Sequence, residues 1–178
     1  PVDVERFHPN KQREDFYITV SRLVPHKRVD IIVQAFSKLN LPLVVVGDGP
    51  ELPRLQKMAT SNIRFLGYKS DERVVELLGK ARGFICAAEE DFGIAIVEAQ
   101  AAGCPVIAYG RGGALETVVE GRTGLLFSEQ ANGSLIERVE KFERTRSNFQ
   151  VKEIICNAQR FNKSRFMNEF KKFVESKT

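Results

Sequence analysis

Short apolar runs alternate with segments whose apolar residues recur every three to four positions, and this alternation predicts a repeating β-α chain. Phe16-Tyr17-Ile18-Thr19-Val20 is aromatic and β-branched and reads as a strand. The helix that follows carries Ile32, Ala35, Phe36 and Leu39 on its inner face. Leu43-Val44-Val45-Val46 is apolar without a break, as in a strand covered on both faces. Leu52, Leu55, Gln56 and Ala59 suggest the next helix, and 62–68 forms another strand and turn. Asp71 reads as the N-cap of a helix that runs to about Lys80, with Val74, Val75 and Leu78 on its apolar side.

The pattern is densest over 82–107. Gly83 to Ala88 suits a buried strand, Glu89-Glu90-Asp91 an acidic loop, and Phe92-Gly93 leads into a helix with Ile94, Val97 and Ala101 on one face. Gly103 is a natural C′ residue and Pro105 prevents continuation, after which Val106-Ile107-Ala108-Tyr109 resumes as strand. Gly110 to Gly113 is a flexible loop, a helix begins over 114–119, and Gly121 and Gly124 bracket a turn before the strand at 125–127. The remainder, 131–178, is helical, with stripes Leu135/Val139/Phe142, Ile154/Ala158/Phe161 and Phe166/Phe170/Phe173 that read as packing faces. Six β-α units imply an α/β fold, a Rossmann-like doubly wound parallel sheet flanked by helices.

The 178 residues suffice for one domain with a sizeable core, and 43% hydrophobic with 28% charged content is ordinary for a globular chain. No apolar run approaches a membrane span, and no signal-peptide pattern opens the sequence. Cys86, Cys104 and Cys156 form no C-x-x-C pair and read as buried, reduced thiols, which points to a cytoplasmic setting. The net charge of +4 is small, and much of the excess lies on helical faces near the end. It reads as a solvated face, or as weak peripheral attraction to anionic lipid at the inner face of a membrane. It does not read as a nucleic-acid patch.

Candidate chemistry clusters at the carboxyl ends of the expected strands, where open parallel sheets bind ligands. Arg22 and Lys27 follow the first strand and suit a diphosphate, Arg by engaging two oxygens and Lys as a point charge. Glu90 and Glu98 suit neutral hydroxyls. With Glu90 in the loop and Glu98 one to two turns into the helix, both flank a ligand at the helix N-terminus. There the N–H groups of Phe92, Gly93 and Ile94 favour phosphate. Gly47 and Gly49 allow a tight turn and close approach to a ligand, but the stretch is not G-x-G-x-x-G or a P-loop. His26 reads as a surface residue, and Glu116 is favoured near a helix N-terminus by the dipole alone.

EEDFGIAIVEAQAAGCPVIA resembles the E-x7-E region of the family-4 retaining glycosyltransferases, nucleotide-sugar enzymes of the GT-B fold. Asp91 stands where the family often has Gly, and Ala87-Ala88 replaces the more usual Pro-Ser. The segment S-R-x-x-x-x-K at 21–27 is similar to the family's pyrophosphate-binding pair, V-G-D-G-P to its nucleotide-side loop, and N-I-R-F-L-G to the segment whose end contacts the base. The resemblance implies donor contacts at Gly47, Gly49, Gly67 and Tyr68, and electrostatic catalysis without a metal or other cofactor.

By the same resemblance the chain is one half of a GT-B architecture, the C-terminal donor-binding half of a hexosyltransferase. Residues 1–15 are then an interdomain linker, 16–160 the nucleotide-sugar domain, and 161–178 a C-terminal helix that packs on an N-terminal domain. Glu90 positions the sugar, Arg22 and Lys27 hold the leaving diphosphate, and Glu98 binds the ribose. The implied donor is a mannose- or glucose-type UDP or GDP sugar, and the acceptor a glycan or lipid-linked glycan. A nucleotide-binding module of the same fold without transfer is the alternative reading.

Overall fold

The apolar runs become six strands in the computed structural model, which describes residues 1–10 and 12–177. These are β1 (Tyr17–Val20), β2 (Leu43–Val46), β3 (Ile63–Gly67), β4 (Gly83–Cys86), β5 (Val106–Tyr109) and β6 (Gly124–Phe127). Their order is β3-β2-β1-β4-β5-β6, and every neighbouring pair is parallel. The chain builds outward from β1 through β3, then returns to lay β4 against the other side of β1. Loops leaving β1 and β4 therefore diverge, and a crevice opens at that switch point.

Among the described residues eight α-helices accompany the strands: α1 (Val29–Leu39), α2 (Leu52–Met58), α3 (Asp71–Lys80), α4 (Ile94–Ala101), α5 (Ala114–Thr117), α6 (Asn132–Thr145), α7 (Val151–Gln159) and α8 (Lys163–Glu175). Successive strand residues face opposite sides, and both sides are covered. Tyr17, Leu43, Val45, Ile85 and Ile107 join one buried cluster with α1 and α6, whereas Ile18, Val44, Val46, Phe84 and Val106 join another with α3 and α4. Leu135, Val139 and Phe142 are fully buried, so α6 is anchored as its stripe suggests.

Several local expectations are corrected. Phe16, Ala87 and Ala88 lie outside their strands. Gln56 is exposed and Ala59 caps α2 from outside it. Ser70, not Asp71, is the N-cap of α3; Asp71 is its first residue and pairs with Arg6 at 2.9 Å. The helix expected over 114–119 is a single turn, because Val118 turns extended. The single apolar face of α4 is absent: Val97 and Ala101 are buried with Ile96, Ala99 and Gln100, while Ile94 is 56% exposed. Helix α4 is enclosed by the sheet, α7 and the first turn of the chain, so periodicity has little to report. Of the three free cysteines, Cys104 is buried, Cys86 partly so, and Cys156 exposed. Burial pushes the Cys86 and Cys104 thiols up to about 12.

The polar opening segment also contributes to the core. Val2, Val4 and Phe7 are buried, and the Val2 N–H donates to the Phe161 carbonyl at 2.9 Å. Helix α8, in contrast, buries no residue, and Phe166, Phe170 and Phe173 stay 44%, 55% and 60% exposed. Lys11 of the opening segment and Thr178 of the expected final helix lie outside the described residues. Among the described residues no helix is long and apolar enough to cross a membrane.

Candidate functional site

Leu23 is buried and pins the loop after β1, so that Arg22 is left at its surface. A 3-10 turn, Pro25–Lys27, then carries Lys27 towards the loop after β4, and Arg28 at φ 51 turns the chain into α1. Lys27 Nζ reaches both carboxylate oxygens of Glu90, at 2.8 and 2.9 Å. The pair is mostly shielded, with side chains 25% and 22% exposed. Arg22 has no ionic partner among the described residues.

Glu90 is also fixed through its backbone. Its carbonyl accepts the Gly113 N–H at 2.6 Å, and Glu90 bridges Gly112. A Cβ at Gly112 would overlap Glu90 O, and one at Gly113 would overlap Phe92 O. The loop read as flexible is therefore a clasp on the acidic loop, and its glycines are required by the close approach. Gly47 and Gly49 do the same for the loop after β2: added Cβ atoms would overlap the carbonyls of Ser21 and Leu23, so this approach is to the chain's own backbone.

Gly93, at φ 84, is the N-cap of α4. Among the described residues, the N–H groups of Phe92, Gly93 and Ile94 have no acceptor, as expected for a free helix start. One turn further, the half-buried Glu98 carboxylate has no hydrogen-bond or ion-pair partner among the described residues. Burial raises its pKa, nearby Arg6 opposes the shift, and Asp71 adds to it.

Two adjoining cavities result. The larger, about 500 Å³, is lined by Arg22, Lys27, Glu90, Glu98 and residues Phe92 to Ile94. The smaller, about 360 Å³, is lined by Arg6, Phe7, Gly47, Asp48, Tyr68 and Lys69. Ser21, Arg22 and Glu98 face both. Such volumes suit small-molecule ligands. Gly49 and Gly67 line neither cavity, and Glu116 and the exposed His26 also stand apart. A third cavity of about 410 Å³ includes Arg13 and Arg82, but these are engaged. Arg13 donates to Ala81 O at 2.7 Å, and Arg82 to Glu143 at 2.9 Å.

Sequence reasoning missed Arg6, Phe7, Ser21, Asp48, Lys69, Asp71 and Asp91 as lining residues. Arg6 and Phe7 carry no spacing signal; they arrive because the 3-10 turn Val4–Arg6 buries Val4. Among the described residues, no group of three His, Cys, Asp or Glu side chains could hold a metal ion.

Residues 3–160 match the model of the family Glycosyl transferases group 1. A GDP-mannose-dependent alpha-mannosyltransferase of Corynebacterium glutamicum is 34% identical over 138 residues, covering 70% of this chain and 33% of that protein. A GDP-mannose-dependent alpha-(1-6)-phosphatidylinositol monomannoside mannosyltransferase of Mycobacterium tuberculosis is 32% identical over 168 residues, covering 78% and 43%. The chain thus spans less than half the length of these curated relatives. Sucrose-phosphate synthase from Thermosynechococcus elongatus superposes with a TM-score of 0.85 at 21% identity, over 99% of this chain and 52% of that one. Anabaena Alr3699/HepE in complex with UDP and glucose does so with 0.82 at 22%, over 98% and 55%. At these identities the likeness concerns the fold, while the family model spans almost the whole described domain: the chain belongs to the group 1 glycosyltransferases.

Proposed function

We propose that this chain is the C-terminal, donor-binding lobe of a family-4 retaining hexosyltransferase. The observation that carries the reading is the convergence of Arg22, Lys27, Glu90 and Glu98 on the free N-terminus of α4 at the sheet's switch point. The larger cavity takes the diphosphate and the sugar, and the smaller one the nucleoside. Glu98, on the shared wall and without a donor of its own, accepts the ribose hydroxyls. Glu90 accepts sugar hydroxyls and acts by positioning, not as a nucleophile.

In transfer, the bond between the anomeric carbon and the diphosphate oxygen breaks, and the electron pair leaves with the nucleoside diphosphate. A new bond to the acceptor oxygen forms on the same face, and the proton of that hydroxyl passes to the departing diphosphate oxygen. Lys27, Arg22 and the amides of Phe92, Gly93 and Ile94 stabilise the charge that develops on the leaving group. These groups are assigned the work without a resident metal, so a chelator leaves donor affinity unchanged. GDP-mannose is the favoured donor, because relatives over 30% identical are named for it. A lipid-linked or glycan acceptor is bound chiefly by a second, N-terminal lobe.

The test is calorimetric titration of the chain with UDP-, GDP- and ADP-sugars. The expected result is weak, base-selective binding that Glu98→Ala abolishes, with no sugar transfer by this chain alone. Binding of none of the panel sinks the reading. A nucleotide-binding module without transfer is the second reading, favoured by the Lys27–Glu90 pair, in which each group satisfies the other without ligand. It predicts that the longer protein binds donor with no turnover.

A further inference from the structure

Three polar side chains lie buried behind the acidic loop, in an otherwise apolar layer. Gln100 and Thr117 are fully buried and Asn157 is 8% exposed. They come from α4, α5 and α7, and neither Gln100 nor Thr117 lines either donor cavity. Burying such groups is costly unless each finds partners. Here they do. The Thr117 carbonyl accepts from Gln100 Nε2 at 2.8 Å and from Asn157 Nδ2 at 2.8 Å. Asn157 Nδ2 donates to Gln100 Oε1 at 2.6 Å, and Asn157 Oδ1 accepts from Arg160 at 2.9 Å. Thr117 Oγ1 donates to the Gly113 carbonyl at 2.8 Å, beside the Thr117 N–H at 3.0 Å and the Glu116 N–H at 3.2 Å on the same oxygen. From Gly113 the next bond, 2.6 Å long, runs from its N–H to the Glu90 carbonyl.

We infer that Gln100, Thr117 and Asn157 are positioning residues: they set the clasp at 112–113, and through it Glu90, for the sugar end of the donor. The inference rests on the donor-site reading above. Helix α5 is one turn long; Ala114 and Thr117 are buried while Leu115 and Glu116 are exposed, so a single small apolar side chain of its own helps to fix its orientation. An apolar contact would tolerate sliding, since dispersion and burial have no direction. Directed bonds onto one carbonyl tolerate far less, and a fully satisfied buried network specifies one arrangement. The arrangement it specifies puts Gly113 against Glu90, whose carboxylate meets Lys27. The nucleoside end, at Arg6, Asp48 and Tyr68, lies outside this relay.

Thr117→Val removes the hydroxyl at nearly constant shape, and Thr117→Ser restores it. The first readout needs no ligand: amide hydrogen exchange of Gly113. Loss of one hydrogen bond should speed it about tenfold in Thr117→Val, with Thr117→Ser close to the parent and amides of β2 unchanged. The second is the ratio of affinities for a nucleotide sugar and its nucleoside diphosphate. Thr117→Val should lower that ratio about tenfold. Affinity for the nucleoside diphosphate should stay within about twofold, and Ser should rescue the ratio. Unchanged Gly113 exchange overturns the inference, as does faster exchange with an unchanged ratio, since a merely structural network gives the latter. If the parent chain binds no nucleotide at all, the donor-site reading falls, and the exchange result still judges the clasp.

Discussion

Lys27 grips Glu90 through both carboxylate oxygens, at 2.8 and 2.9 Å, so the cation proposed for a diphosphate and the acid proposed for a sugar neutralise one another in the free chain. On the proposed donor reading, binding divides this pair, handing Lys27 to phosphate and freeing Glu90 for hydroxyls. Glu90→Gln removes the competitor for Lys27. It should leave nucleoside diphosphate affinity equal or raise it a few-fold, while lowering transfer by the proposed two-lobed enzyme about 100-fold or more. Calorimetry beside a turnover assay checks both directions, and a parallel fall in the two would contradict the division.

Arg22 tests the diphosphate contact more cleanly, because its side chain is exposed and has no ionic partner among the described residues. Arg22→Ala should leave stability within about 0.5 kcal/mol. Affinity for a nucleoside diphosphate should fall about tenfold, and that for the plain nucleoside should not. The loss should shrink in high salt, as a solvent-accessible charge contact does.

Glu98 links stability to pH. Burial raises its pKa above the ordinary 4.5, so the folded state holds this proton more tightly than the unfolded one. Stability owed to this group is greatest below that ordinary value and falls as pH rises through the raised one. Glu98→Gln should therefore flatten the pH dependence and raise Tm at neutral pH by about 1–3 °C. The same change should weaken donor binding about tenfold, by removing a charged acceptor. Thermal melts at several pH values check the sign; a lower Tm at neutral pH would reverse the assignment.

Gly113 has ordinary helical φ, near −61, so an alanine there strains nothing but the space against Phe92. Gly113→Ala should separate the clasp from the acidic loop, cost about 1–3 kcal/mol in denaturant unfolding, and weaken nucleotide-sugar binding. Gly133→Ala, where a Cβ meets open space, is the control and should be neutral or slightly stabilising.

The strands and the residues at their carboxyl ends were legible in the sequence, because runs such as Leu43-Val44-Val45-Val46 encode burial on both faces locally. Arg22, Lys27, Glu90 and Glu98 could be marked out because each lies just beyond such a run or beside a helix start. Arg6 and Phe7 could not, since their place depends on how Val2 and Val4 pack against distant α4 and Phe161. Helix α4 misled for a related reason: a helix enclosed on nearly all sides has no stripe, and its exposed Ile94 looked like core. The relay through Thr117 was invisible, because hydrogen bonds from Asn157 across 40 positions leave no local spacing.

Ser21, Arg22 and Glu98 belong to both cavities at once. Two small molecules offered together, a nucleoside monophosphate and a hexose phosphate, would then share one partition, and each would alter the surface the other sees. Whatever factor the first imposes on the second is returned in equal measure. The tethered compound would consequently bind with an affinity that the two halves, titrated singly, do not foretell.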